Sequence, residues 1–526
     1  MPDAAAPTAH PPQRSHTTRR LFQSSIALLV LSVVAYLILA ALFYTGQPRA
    51  KPIPTDPLAD VVHDIHNANA AALADVPSPL APSDPVPEPD ADPARLWIDS
   101  HERFRAVGAD DGPDAPALLS GEPSHVIDAR PGDEHWPRLL ELLPRAEPAA
   151  AQARAAAHLH ATGRRYKVIR NPDDAPAFRV GDPNASELFA AARTLARYTR
   201  AQLRRPDPDP LTPWNIAALA SAARQLRGIA LLDQTRAASL TTAASDILVH
   251  ALRTHPDLFT DDDLTTIDAA LAAASDQTAR SPDRRAQRIE FESLLARKLT
   301  ADGRAWRPAA PNLFRPVDSP PQRRGPIANV LDLLAIPVSA LRVADAQEHL
   351  AAFDRAATLA DAPIPPLLER SRPTDFQAEW DRMIDQHPRY AVLNSNVHLT
   401  RSTKEFLAAA AFHAHLARTA VAFERSRRDT GAFPAHPDQL VPHYLDALPL
   451  DPADHQPLRH RSRPGRPPLL YSLGPDGDDD NAQPLPHPDP DAPEAVDPER
   501  PLRHIARQLF TLDHIPNEDG DVILLQ

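Results

Sequence analysis

The sequence predicts a mainly α protein in three parts: an N-terminal transmembrane helix, an irregular helical domain, and a small C-terminal α+β module with two short strands. Three observations carry this. One unbroken apolar stretch lies near the start, Ala/Leu-rich segments of helical period fill the middle, and strand-like runs bounded by turn residues come only toward the end. Composition agrees. The 526 residues include 61 prolines and only 15 glycines, which suits helices ended by proline and disfavours Gly-rich phosphate loops or a many-turned barrel or sandwich. In chain order, residues 1–20 form a tail, 21–45 the transmembrane helix and 46–94 a Pro-rich linker with one short helix. Residues 95–400 form the Ala-rich helical domain and 401–526 the C-terminal module.

The membrane helix rests on Ser24 to Tyr44, SSIALLVLSVVAYLILAALFY, within a stretch from Arg20 to Arg49 that holds no Asp, Glu, Lys or Arg between those ends. These 21 residues would span about 31 Å as a helix, the thickness of bilayer hydrocarbon. A cleaved signal peptide would have a shorter apolar core and a small-x-small site; Leu39-Ala40-Ala41-Leu42 is a poor one, so an uncleaved anchor is expected. Arg14, Arg19 and Arg20 precede the span, and Arg49 and Lys51 follow it. The bias is small, and it places a short N-terminal tail in the cytoplasm and the large remainder in the periplasm, as a single-pass protein of the inner membrane. Cysteine is absent from the chain, which removes disulfides, thiolate zinc sites, iron–sulfur clusters and cysteine nucleophiles from consideration.

Residues 48–57 and 76–93 are Pro-rich and read as extended spacers, with a short helix from Leu58 to Ala74 between them. Further on, Leu188, Ala192, Leu195 and Tyr198 share one helical face, and Pro206 stops that helix. Pro213 to His255 holds two or three more helical turns' worth of Leu, Ile and Ala, broken near Pro256. Asp261, Asp262 and Asp263 precede Leu264, Ile267 and Leu271, which suits acids at a helix N-terminus. Arg288 to Leu299 and Ala344 to Leu359 continue the pattern.

The longest expected helix runs from Thr403 to Asp429. Ser402 and Glu405 have capping-box spacing, and Gly431 stands where a left-handed C-cap residue belongs. Phe406, Phe412, Leu416, Ala420 and Phe423 would line one side. After it the charge changes: residues 431–526 hold 17 acids against 7 arginines, most of the chain's net charge of −13. Leu469 to Leu473 and Asp521 to Leu525 read as strands, and residues 482–500 as an acidic loop before a short helix, Leu502 to Phe510. The segment Arg459 to Arg466 reads as a solvated hairpin connection.

Certain motifs occur here in order. They are Phe423-Glu424-Arg425, Thr430-Gly431-Ala432-Phe433-Pro434, Leu440-Val441-Pro442-His443-Tyr444-Leu445 and Leu448-Pro449-Leu450-Asp451-Pro452. Gln456-Pro457-Leu458-Arg459, Tyr471-Ser472-Leu473-Gly474-Pro475-Asp476-Gly477 and a terminal Gly520-Asp521-Val522-Ile523-Leu524 follow. This segment resembles the C-terminal part of the type II secretion major pseudopilin. The chain is similar, more closely, to single-span membrane proteins of planctomycete-type bacteria that carry the segment behind a helical region. The resemblance covers residues 401–481 and the C-terminus, and over 95–400 it is only one of Ala/Leu-rich style.

The resemblance implies a long helix packed on a small antiparallel sheet, with calcium bound in the loop after the Tyr-Ser-Leu-Gly strand. Asp476 matches the aspartate of the family's Gly-x-Asp-Gly element, and Asp478, Asp479 and Asp480 replace a stretch containing glycine and glutamate. Clustered carboxylates in a turn suit a hard cation. They equally suit a solvated acidic loop, and both readings stand. An EF-hand is excluded, because Asn481 and His487 occupy the places of its glycine and its bidentate glutamate. The family's N-terminal processing site is missing, since Arg20-Leu21-Phe22-Gln23 precedes the span. Residues 45–402 also separate the span from the matching helix, which pilin-type subunits join as one.

No G-x-S-x-G, G-x-x-x-x-G-K-[ST], G-x-G-x-x-G or H-E-x-x-H occurs. His63 and His66 are spaced to share a helix face but have no acid or third histidine nearby in a ligand pattern, whereas His413 and His415, and Glu290 and Glu292, stand two apart and do not face each other on a helix. The acidic net charge and the lack of a basic stripe interleaved with aromatics argue against nucleic acid. The expected function is that of a non-enzymatic, membrane-anchored envelope protein with a protein partner. A divergent secretion component, or a hydrolase with carboxylates dispersed between helices, would be the alternatives.

Overall fold

The computed structural model describes residues 28, 30–39, 84, 86–88, 91–107, 126–159, 167–170, 178–181, 185–226, 231–278, 288, 354, 366, 391–463, 465–474, 477–483, 502, 509 and 522–525. The helix expected at Leu58 to Ala74, nearly all of Arg288 to Leu299 and Ala344 to Leu359, most of the 482–500 loop, and Asp476 lie outside them.

Helix α1 is Val30–Leu39. Its Leu31, Val34, Leu37, Ile38 and Leu39 are all exposed, so the apolar side chains have no polar face to hide behind. This helix is described by itself.

The remaining α-helices described along their length share one core. They are α2 (Pro93–Ala106), α3 (Trp136–His158), α4 (Ala185–Leu203), α5 (Thr212–Gln225), α6 (Leu231–Thr254), α7 (Asp261–Thr278) and α8 (Ala391–Thr430). Leu188, Ala192, Leu195 and Tyr198 are buried on α4 as their spacing predicts. The 213–255 region resolves into α5 and α6. Helix α7 starts on its acid triplet: the Asp263 carboxylate accepts from the Thr260 N–H and hydroxyl at 2.8 Å each, and Thr260 Oγ1 accepts from the Asp263 N–H at 3.2 Å. That is a reciprocal cap. Leu264, Ile267 and Leu271 then turn into the core.

Helix α8 begins twelve residues before the expected start at Thr403. No glycine or proline occurs between Arg389 and Thr430, so nothing in the backbone stops propagation at Ser402. Its end falls as expected, with Gly431 at φ +80° and the Gly431 N–H bonded to the Arg427 carbonyl at 2.8 Å. Phe412, Leu416 and Phe423 are buried, but Phe406 is 36% exposed; at six residues from Phe412 it stands off that stripe. The Thr403–Thr430 part of α8 is long and apolar enough to cross a membrane, and the apolar window is 72% buried inside the protein. It packs on α6 and α7, so burial in the protein core accounts for its composition.

Five strands are described. Strands β1 (Lys167–Arg170) and β2 (Phe178–Gly181) pair antiparallel within the region expected to be helical. Strands β3 (Arg459–Arg461), β4 (Leu469–Ser472) and β5 (Val522–Leu525) form an antiparallel sheet in the order β3-β4-β5. Arg459 to Arg461, expected in a connection, thus opens the sheet by pairing with Leu469 to Tyr471. A single apolar cluster runs from Trp97 through Phe412 and Leu440 to Leu525. The same cluster thus holds residues from both sides of position 400.

Candidate functional site

Three polar constellations stand out among the described residues. The first lies in the C-terminal module. Asp451 follows α8 in a turn closed by the Asp451 N–H to the Gln456 carbonyl and the His455 N–H to the Asp451 carbonyl, 2.7 Å each. Its carboxylate is fully buried. It accepts from Ser472 Oγ at 2.5 Å, the Ala453 N–H at 2.8 Å, Arg459 Nη1 at 3.0 Å and the Leu473 N–H at 3.1 Å. Burial pushes the Asp451 carboxyl above its ordinary range, against the pull of these donors. Arg459 also grips Asp454 at 2.6 and 3.0 Å and holds that more exposed carboxyl low. One carboxylate thus ties the turn at 451–457 to the end of β4.

The acidic loop leaves from that end. Gly474 and Gly477 take φ +74° and +81°, which side chains with a Cβ rarely adopt. Asp479 Oδ1 accepts from the Tyr471 hydroxyl at 2.9 Å and from the Asn481 N–H at 3.0 Å. Asp478 and Asp479 are exposed and Asp480 is half-buried. Among the described residues no three His, Asp or Glu side chains gather closely enough to hold a metal ion. Asp478, Asp479 and Asp480 are therefore not brought together as a calcium ligand set by themselves. Across the same module, His436 Nδ1 and His460 Nε2 lie 2.8 Å apart.

The second constellation is centred on Arg154, which α3 carries into the core with no exposure. Its Nε and Nη2 donate to the two oxygens of Asp84 at 2.6 and 2.7 Å, Nη2 to Glu147 Oε1 at 2.6 Å, and Nη1 to Asn215 Oδ1 at 2.7 Å. The Tyr198 hydroxyl donates to Glu147 Oε2 at 2.8 Å and accepts from Gln202 Nε2 at 2.7 Å. Burial lowers the guanidinium's proton affinity, but Asp84 and Glu147 outweigh it and raise Arg154 overall. Burial, then the Glu147 charge, raises the Tyr198 phenol as well. Nearby, Trp97 Nε1 donates to Gln225 Oε1 at 2.8 Å, and Gln225 Nε2 donates to the carbonyls of Ala156, Ala157 and Leu159.

The third joins α8 to α7. Glu424 accepts from Arg427 at 2.6 and 2.8 Å and from Arg428 at 2.8 Å. Arg428 donates onward to the carbonyls of Phe259 and Pro256 and to Asp261. Arg428 thus has the structural role that its place near the helix C-terminus suggests.

Sequence reading missed Arg154, Asp84, Glu147 and Asn215, whose partners lie 7 to 70 residues away. One faint signal exists, a lone arginine among the alanines of residues 149–157. Asp84 had been expected in a free spacer, and the structure buries it against α3. Of the histidine pairs weighed from sequence, His413 is buried and His415 exposed on α8, so they do not share a face. His63, His66, Glu290 and Glu292 lie outside the described residues. Comparison with known proteins finds no matching family model, no matching curated protein and no matching solved structure.

Proposed function

We propose that the protein is a membrane-anchored, non-enzymatic envelope protein whose helical bulk is an interaction scaffold for another protein. The observation that carries the anchor is α1, where apolar residues point outward on every side within a longer apolar stretch. Water would penalise that surface by roughly 25 cal/mol per Å², and lipid would not. The scaffold reading is supported by the use made of the converging carboxylates. Asp84, Glu147, Asp451 and Glu424 are each matched by cations or N–H and O–H donors inside the protein, as polar groups buried to hold a fold are. The tail before α1 is cytoplasmic and the rest periplasmic in this reading. The test is alkaline carbonate extraction of membranes, with protease added outside spheroplasts. Retention in the membrane and digestion of the C-terminal part are expected. Release into the carbonate supernatant would remove the anchor, and crosslinked membranes yielding no reproducible protein partner would remove the scaffold role.

A second reading has its own support. A long helix followed by a three-stranded antiparallel sheet, in which the last strand returns to Tyr471 and Ser472, is what the pseudopilin resemblance implies. On that reading residues 401–526 form a pseudopilin-like cap of a divergent secretion component. Its calcium site would use Asp476 together with Asp478, Asp479 and Asp480. Calcium would supply charge neutralisation and cross-linking of the loop. A calcium titration that raises the melting temperature would support this cap, and no shift would end it.

A further inference from the structure

We propose that His436 and His460 form a binding site for a divalent transition-metal ion of tetragonal preference, copper(II) or nickel(II). The two residues come from different places in the chain and are held there by backbone. His436 lies in extended conformation, φ −130° and ψ 136°, at the head of the 3-10 turn Pro437–Leu440. The Gln439 N–H bonds its carbonyl at 3.1 Å. His460 sits in the middle of β3, opposite Leu470 of β4. Ser462 Oγ donates to the Ala435 carbonyl at 2.6 Å and pins the two segments together beside the pair.

The rings meet edge to face, 87° between planes, with Nδ1 of His436 and Nε2 of His460 2.8 Å apart. Metal–imidazole bonds are about 2.0–2.1 Å long. Two nitrogens at the observed separation would subtend about 86° at an ion bonded at those lengths, close to the right angle between neighbouring ligands of tetragonal copper(II) or nickel(II). A tetrahedral zinc site would need them about 3.3 Å apart. Without metal, one ring donates its N–H to the other. On binding, that proton moves to the outer nitrogen of the same ring, so both facing lone pairs become ligands and no net charge is lost. His436 is exposed and His460 half-buried, which leaves the remaining coordination positions to water. Burial and the neighbouring His436 push His460 below its ordinary value, with Asp438 opposing them. The Asp438 charge favours an arriving cation.

The experiment uses the untagged full-length protein in detergent, titrated with copper(II) and then nickel(II) against a competing chelator. Paramagnetic resonance of the copper form is recorded. One equivalent bound, with nitrogen coupling from two imidazoles, is expected. His436→Ala and His460→Ala should each weaken binding by on the order of tenfold to a hundredfold or more, since even losing a ligand's supporting partner costs that much. His443→Ala should leave both affinity and spectrum unchanged. Equal affinity and an unchanged spectrum in His436→Ala would mean an adventitious surface ion only and would overturn the proposal. Because His436 is exposed, that variant decides the matter even if His460→Ala disturbs β3.

Discussion

Arg154 and Asp84 form a two-pronged ion pair, 2.6 and 2.7 Å, between side chains that are 0% and 3% exposed. It joins the Pro-rich approach to the helical domain with the C-terminal end of α3, and Glu147 and Asn215 complete the shell around the cation. A buried pair of this kind adds little beyond a hydrophobic substitute, but half of one is expensive.

Asp84→Ala should therefore destabilise the protein by about 3–5 kcal/mol, because Arg154 keeps its charge and loses its main counter-ion. Arg154→Met combined with Asp84→Leu should recover most of that loss. Urea unfolding followed by fluorescence of Trp97, which lies in the same core, measures both. Equal loss in the single and double variants would assign the effect to packing.

Acid should loosen the junction of α7 and α8. Burial pulls Glu424 upward, but hydrogen bonds from Arg427 and Arg428 win and hold it below its ordinary value. A carboxyl with a depressed folded pKa gives stability that is present above its unfolded value and lost as pH falls through the folded one. The melting temperature should thus drop as pH falls through the ordinary glutamate range of about 4.3 and below it. Glu424→Gln should be less stable at neutral pH and flatten that slope.

Arg428→Ala removes the donors that reach the Phe259 and Pro256 carbonyls. The cost should be about 1–3 kcal/mol. Protease cleavage near residues 255–261 should rise before the rest of the chain opens, and limited proteolysis with mass spectrometry reads this directly.

Leu31→Arg with Val34→Arg should move the protein out of the membrane fraction. Each arginine near a span's centre costs about 2.5–3.5 kcal/mol of insertion. Arginine at Ala94, outside α1, should leave fractionation unchanged.

Local features were legible where the physics is local. The face of α4, the acid start of α7, Gly431 at the end of α8, and strands β4 and β5 follow from period, caps and turn residues a few positions apart. The early start of α8 could also be read from its lack of glycine and proline. Strand β3 was hidden because its arginines and histidine are not among the β-branched and aromatic residues that mark a strand, and pairing with β4 makes it one.

By itself the sequence determined the helical bulk, the apolar segment near the start and the two strands β4 and β5 near the end. Each depends on residues within a turn or two of one another. Only the tertiary structure decided that Asp84 meets Arg154, that Asp451 meets Ser472, and that His436 meets His460, at sequence separations of 70, 21 and 24. Such meetings depend on how whole elements pack, and a buried charge gives no periodic mark of the partner that neutralises it.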